Sequence, residues 1–358
     1  MTLLFTNGFQ HSIPAEAVGA AGFDALVAPA RALYRNTADQ RLSIRPGYDG
    51  DHNRGGQVFL DEPGPLFVGG RVWPDDLSNL SDRPCRFLLV YVNDVRVLQV
   101  CVNNTSSARS GTPSNGFAVY NGVDTASTLD AGNVLAASPA DVFDDDTNLA
   151  WSLAITRGET EGTFDLKYEG ASIAAGVSPD LAESEGPITQ VTFTSRGPST
   201  SGTSGSRLDH NDCWVDNERD WSGAKVGLIV PAADGFYTDG TVVGEANAWE
   251  AVNNSPPATD SYVELESGES ASFEYGPIAP TEAGIAVGGI MVRPAETTDL
   301  PFEAFMREGG TDELLAELTP VSGALDYRTR AVVEVNPHTG QPFTLADIDG
   351  IEIGWKLP

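Results

Sequence analysis

The sequence predicts an all-β protein built from two antiparallel sandwich domains. Three observations carry this. Short β-rich runs recur along the chain, separated by Asn-Asp, Asn-Gly and Glu-Gly dipeptides that favour tight turns. Glycine (38) and proline (23) together exceed their usual share of about 12%, which suits many turns and few long helices. No heptad pattern is present, so no coiled-coil stalk is expected. At 358 residues the chain has room for about two domains, each able to bury a core without disulfides or metals.

The elements follow in order. Arg86 to Val102 (RFLLVYVNDVRVLQVCV) holds two apolar runs around Asn93-Asp94, the pattern of a hairpin. Gly116 to Tyr120 is a short strand before the turn signal Asn121-Gly122. Leu149 to Ile155 alternates, a loop spans Arg157 to Gly162, and Phe164 to Tyr168 returns before Glu169-Gly170. Ile188 to Phe193 is a further strand. Gly197 to Ser206 (GPSTSGTSGS) cannot bury apolar area and reads as a surface loop. Cys213 to Asp216 and Lys225 to Val230 read as short strands with polar flanks.

Glu245 to Asp260 is turn-rich and ends towards Pro256-Pro257, which stiffens the chain and removes backbone donors. The domain boundary is therefore placed near 245, giving domains 1–245 and 246–358. In the second, Tyr327 to Val335 alternates as a half-buried strand should, with Val332 as the exception. Ser272 to Tyr275, Ala286 to Val292, Pro301 to Arg307 and Ile351 to Leu357 are further strands, and Gly309-Gly310 is a turn. Asp312 to Leu318 has helical propensity, but its neighbours argue for strand. Leu345 to Ile348 is expected to make one helical turn with Thr344 as its cap.

Charge narrows the partners. Lys+Arg is 21 and Asp+Glu is 51, a formal net charge of −30. Such a field repels nucleic acid and anionic membrane surfaces. The excess acid fits adaptation to salty water, where self-repulsion is screened, and it also fits several cation sites. Cys85, Cys101 and Cys213 cannot all pair, and Cys101 lies in an apolar run as a small buried hydrophobe would. This suggests assembly in a reducing compartment. The opening MTLLF lacks the pattern of a secretory signal, and the longest apolar run, Phe87 to Val92, is far below the ~20 residues of a membrane span.

The search for catalytic chemistry returns little. A serine nucleophile needs a base, yet the histidines are only His11, His52, His210 and His338, and no G-x-S-x-G elbow exists. His338 lies in a turn. A glycosidase needs two carboxylates across a cleft, and Glu264/Glu266 and Glu159/Glu161 sit in or beside turns. No catalytic or cofactor-binding residue is assigned. Calcium is the one cofactor with candidates: Asp49 and Asp51 in a D-x-D-x-N run, and the cluster Asp144, Asp145 and Asp146. Among the tryptophans, Trp151 and Trp214 fall in strand patterns and read as core. Trp73 and Trp221 lie in loop-like segments and are the surface candidates for stacking on a glycan. Trp249 is a further aromatic to weigh.

The first ~245 residues resemble the concanavalin-like, laminin-G-like jelly-roll domains of tailed-phage virion proteins. Gly22-Phe23-Asp24, the meander Phe87 to Val102 and Gly116 to Tyr120 carry part of the likeness. Asn211-Asp212-Cys213-Trp214-Val215-Asp216 is the most telling stretch and looks like that family's "DD-aromatic-V-D" strand, with Asn211 as a departure. Leu228 to Gly235 resembles its "P-x-x-D-G" turn. Trp249 to Asn253, Asp260 to Val263, Asn336 to Thr344 and Ile351 to Gly354 resemble a small β-sandwich partner domain. The resemblance implies a non-enzymatic virion component on the tail, an appendage or the capsid surface. It implies homo-oligomers, contacts with other virion proteins, and assembly in the host cytoplasm. A host-receptor or glycan-binding module is the alternative, and a polysaccharide hydrolase the less favoured one.

Overall fold

In the computed structural model, the hairpin around Asn93-Asp94 joins Cys85–Val92 to Val95–Asn103. Both turn residues hold positive φ, 46° and 64°. That geometry matches the right-handed twist of the flanking strands, and Asn and Asp tolerate it better than most residues. Glu169-Gly170 repeats it (φ 48° and 79°) between Gly162–Tyr168 and Ala171–Ser178. The structure describes residues 3–7, 25–26, 33–35, 42–44, 55–75, 85–103, 111, 113–122, 131–143, 149–196, 207–222, 229–253, 260–276, 290–292, 300–319 and 331–358.

The protein is all-β, as expected. Its contacts divide it into two units, one built on Phe23–Val226 and the other on Gly227–Pro358. The first unit is a jelly-roll-like sandwich of two antiparallel sheets. One runs Val134–Ala137, Gly116–Asn121, Val95–Asn103, Cys85–Val92, Ile188–Arg196, Gly55–Glu62, Ala25–Leu26. The other runs Ala171–Ser178, Gly162–Tyr168, Leu149–Thr156, Leu66–Asp75, Arg207–Asp216, Leu42–Ile44, Leu33–Arg35, with Leu3–Asn7 also paired to Arg207–Asp216.

Aromatic side chains fill the space between these sheets. Phe87 meets Trp151 edge-on at 4.9 Å and Phe117 at 6.0 Å. Each such pair adds about 0.5–1.5 kcal/mol beyond the area it buries. Trp151 and Trp214 are both buried, as their strand patterns predict. Cys85–Val92 is buried at every position, on both faces, which suits an uninterrupted apolar run. Cys101, Ala118 and Tyr120 form a second small cluster with Val134 against it.

The second unit centres on a five-stranded antiparallel sheet: Pro231–Thr238, Ser270–Tyr275, Glu352–Lys356, Phe302–Glu308, Thr311–Leu318. Short ribbons accompany it, among them Ile290–Val292 with Ala331–Val333. On one face Phe302, Ala304, Met306 and Ile353 pack with Phe343 and Ile348, and Ala331 and Val333 lie against them. Asp312 to Leu318 is strand, paired along Phe302–Glu308. The helical turn Leu345–Ile348 stands where predicted. Thr344 accepts from the Asp347 backbone N–H, and Asp347 accepts from the Thr344 backbone N–H, a reciprocal capping box.

The boundary near 245 is corrected to between Val226 and Gly227. Pro231–Thr238 pairs with Ser270–Tyr275, so it is an edge strand of the second unit's sheet. The expected "P-x-x-D-G" turn is thus part of a strand. Its Gly235 is there for space: a Cβ would meet Ser272 Oγ at 2.5 Å and Glu352 Oε1 at 2.6 Å. Ile229 and Val230 are not strand, and 225–228 lie outside the described residues. So do 327–330 of the alternating run, 286–289, and the Ser/Gly-rich loop 197–206.

Candidate functional site

The stretch Asn211 to Asp216 turns its acids inward. The pairing of Arg207–Asp216 with Leu66–Asp75 shifts register between Asn211 and Trp214, and Asp212 sits in that irregularity at φ 50°. Asp212 is fully buried with Oδ2 3.6 Å from Arg71 Nε. A buried charge is tolerated only when paired. Burial, and then the Asp212 charge, push the neighbouring Cys213 thiol well up, so it stays protonated. The Trp214 ring lies over Gly69, where a Cβ would approach Cζ2 to 2.3 Å.

Asp216 is a clasp. Its Oδ1 accepts from the backbone N–H groups of Glu218 (2.7 Å) and Arg219 (2.8 Å), and its Oδ2 accepts from Trp221 Nε1 (2.8 Å). The segment it holds folds back on the sheet. Asp220 takes Lys167 at 2.7 Å, the Ser222 and Ser152 hydroxyls meet at 2.9 Å, and Asn217 donates to Glu62 at 3.0 Å. The hydrogen bond to Asp220 raises the Lys167 pKa.

The glycan candidates stand as follows. Trp221 is half-buried, its N–H is engaged by Asp216, and the Arg219 guanidinium lies 5.6 Å over its ring. Trp73 stands inside the strand Leu66–Asp75 opposite Asp209, not in a loop. Trp249 opens the short helix Ala248–Val252, its backbone N–H donating to Asp234. The calcium candidates Asp49, Asp51, Asp144, Asp145 and Asp146 lie outside the described residues. Among the described residues, no three His, Cys, Asp or Glu side chains gather as a metal-holding group.

Of the two described histidines, each makes structural contacts. His210 is buried between Phe87 and Phe193. A carbonyl only accepts, so His210 Nε2 must donate to Thr194 O, which links the two sheets of the sandwich. Burial lowers its pKa to about 4, against the opposing effect of that hydrogen bond. His338 lies in its turn, with its backbone N–H on Asn336 Oδ1 at 2.9 Å. Arg157 holds the segment after Ala171–Ser178 by donating to the carbonyls of Leu181, Ala182 and Gly186. The paired glutamates Glu159/Glu161 and Glu264/Glu266 are all exposed.

The sequence did not disclose a cluster on the second unit's sheet, on the face away from its core. Arg307 and Asp312 form an ion pair across neighbouring strands. The Arg307 guanidinium lies 3.9 Å over the Phe236 ring and 5.3 Å from that of Tyr237. Tyr237 meets Phe236 edge-on at 5.0 Å and Phe305 at 5.5 Å, and its hydroxyl donates to Asp312. The Phe236 backbone N–H and the Ser272 hydroxyl both donate to Glu352 Oε1, at 2.8 Å and 2.6 Å. The hydrogen bond to Asp312 raises the pKa of both Tyr237 and Arg307. Burial pushes the Asp312 carboxyl up, but bonds from Tyr237 and Arg307 outweigh it and hold it low. Even so, Phe236 is 66% exposed, and Leu314 beside Asp312 is 49% exposed. The only local signal was Phe236-Tyr237 after Gly235.

Fold and cluster define a class: a two-unit, all-β sandwich protein with acids turned inward in the first unit and a clamped aromatic ring outward on the second. No protein-family model matches the chain, and no curated protein matches it. Solved structures similar to it include the CBM2 module of the Lactobacillus casei BL23 phage J-1 evolved Dit, at 13% identity and TM-score 0.36, covering 63% of this chain and 97% of that one. The cellulose induced protein Cip1 is similar at 11% identity and TM-score 0.39, covering 63% and 99%. The marine PL-14 alginate lyase from Aplysia kurodai is similar at 9% identity and TM-score 0.37, covering 61% and 100%. The fold assignment rests on the chain's own strand order. No described helix is long and apolar enough to cross a membrane.

Proposed function

We propose that this chain is a non-enzymatic structural subunit of a tailed-phage virion, located on the tail, an appendage or the capsid surface. Its two units make contacts with other subunits. The phage setting comes from the sequence resemblance. The observation that carries the non-enzymatic reading is the inward use of the motif's acids. Asp212 is fully buried against Arg71, and both oxygens of the buried Asp216 are engaged by Glu218, Arg219 and Trp221. Carboxylates held this way brace a loop and a strand. A hydrolase needs them facing a substrate with a proton to exchange.

The test is the protein content of purified virions. Peptides of this chain should be present in gradient-purified particles at a level comparable to other tail or capsid subunits. Particles without them overturn the proposal. A parallel assay on polysaccharides addresses the enzymatic alternative: reducing ends released above the level of heat-treated protein would refute the non-enzymatic reading.

A further inference from the structure

We draw no further inference here: the strongest candidate, the outer face of the second unit's five-stranded sheet where Arg307 covers the exposed Phe236 ring, carries nothing, because strand register sets Glu274, Glu303 and Glu317 beside Asp312 and Glu352 against only Arg307 and Lys356, so a second copy of this acidic chain would be repelled there, and nothing in the structure shows what covers it.

Discussion

Acidifying the protein from pH 7 to 4.5 should weaken the first unit through His210. In the folded state burial lowers its pKa to about 4, and in the unfolded chain it returns to about 6.5. Between those values the unfolded state binds more protons than the folded one. Stability is therefore fully present above about pH 6.5 and is lost as pH falls towards 4. At about 1.36 kcal/mol per pH unit of separation, the loss reaches roughly 2.5 kcal/mol at pH 4.5. The cause is structural: an imidazolium would stand between Phe87 and Phe193 with no anion described beside it. The assay is urea denaturation followed by tryptophan fluorescence, since Trp151 and Trp214 report on this unit. Carboxylates also titrate in this range, so the measured quantity is a difference. His210→Gln retains a donor for the Thr194 carbonyl and cannot take up a proton, and its stability should fall by about 2.5 kcal/mol less than the parent's over the same range. Equal losses in parent and variant would refute the reasoning.

Further outcomes follow from the clasp, the close approach and the cap. Asp216→Ala removes three hydrogen bonds to a buried carboxylate and should cost roughly 3 kcal/mol in denaturant titration, with a red-shifted Trp221 emission as the segment 217–222 comes loose. Gly69→Val should destabilise by about 2 kcal/mol or more, because its Cβ would enter the space of the Trp214 ring. Pairing it with Trp214→Ala should show strong non-additivity in a double-mutant cycle. Thr344→Ala should cost about 1 kcal/mol through the capping box and leave the first unit's melting unchanged.

What could be read in the sequence was local. Asn93-Asp94 and Glu169-Gly170 declare their turns because the backbone conformation is set by the two residues themselves. Thr344 announces a helical turn because the cap and its partner are three residues apart. The unit boundary was not legible, because Pro231–Thr238 belongs to the second unit only through its pairing with Ser270–Tyr275. Nor was the clamped ring. Phe236, Arg307, Asp312 and Glu352 come from four strands, and nothing in any one of them signals the other three. Trp73 misled for a related reason: Pro74 beside it reads as a loop signal, yet Leu208 pairs opposite that proline and the strand continues through both residues.

The acids of this chain therefore act in two ways, and magnitude separates them. Two surface charges 10 Å apart interact by about 0.4 kcal/mol in water, and by a few tenths of that once screened at physiological salt. One such acid is nearly irrelevant to the fold, and 30 uncompensated ones matter mainly to whether copies approach. Asp212 and Asp216 are in the opposite regime. Fully out of water, each needs its own donors, and losing those donors costs on the order of kcal/mol. Salt should thus tune assembly and leave folding largely alone, while Asp216→Ala should weaken the fold at every ionic strength. If raising salt from about 20 mM to about 500 mM restored the stability of Asp216→Ala, the carboxylate would be acting through the general field, and its assignment as a local clasp would be wrong.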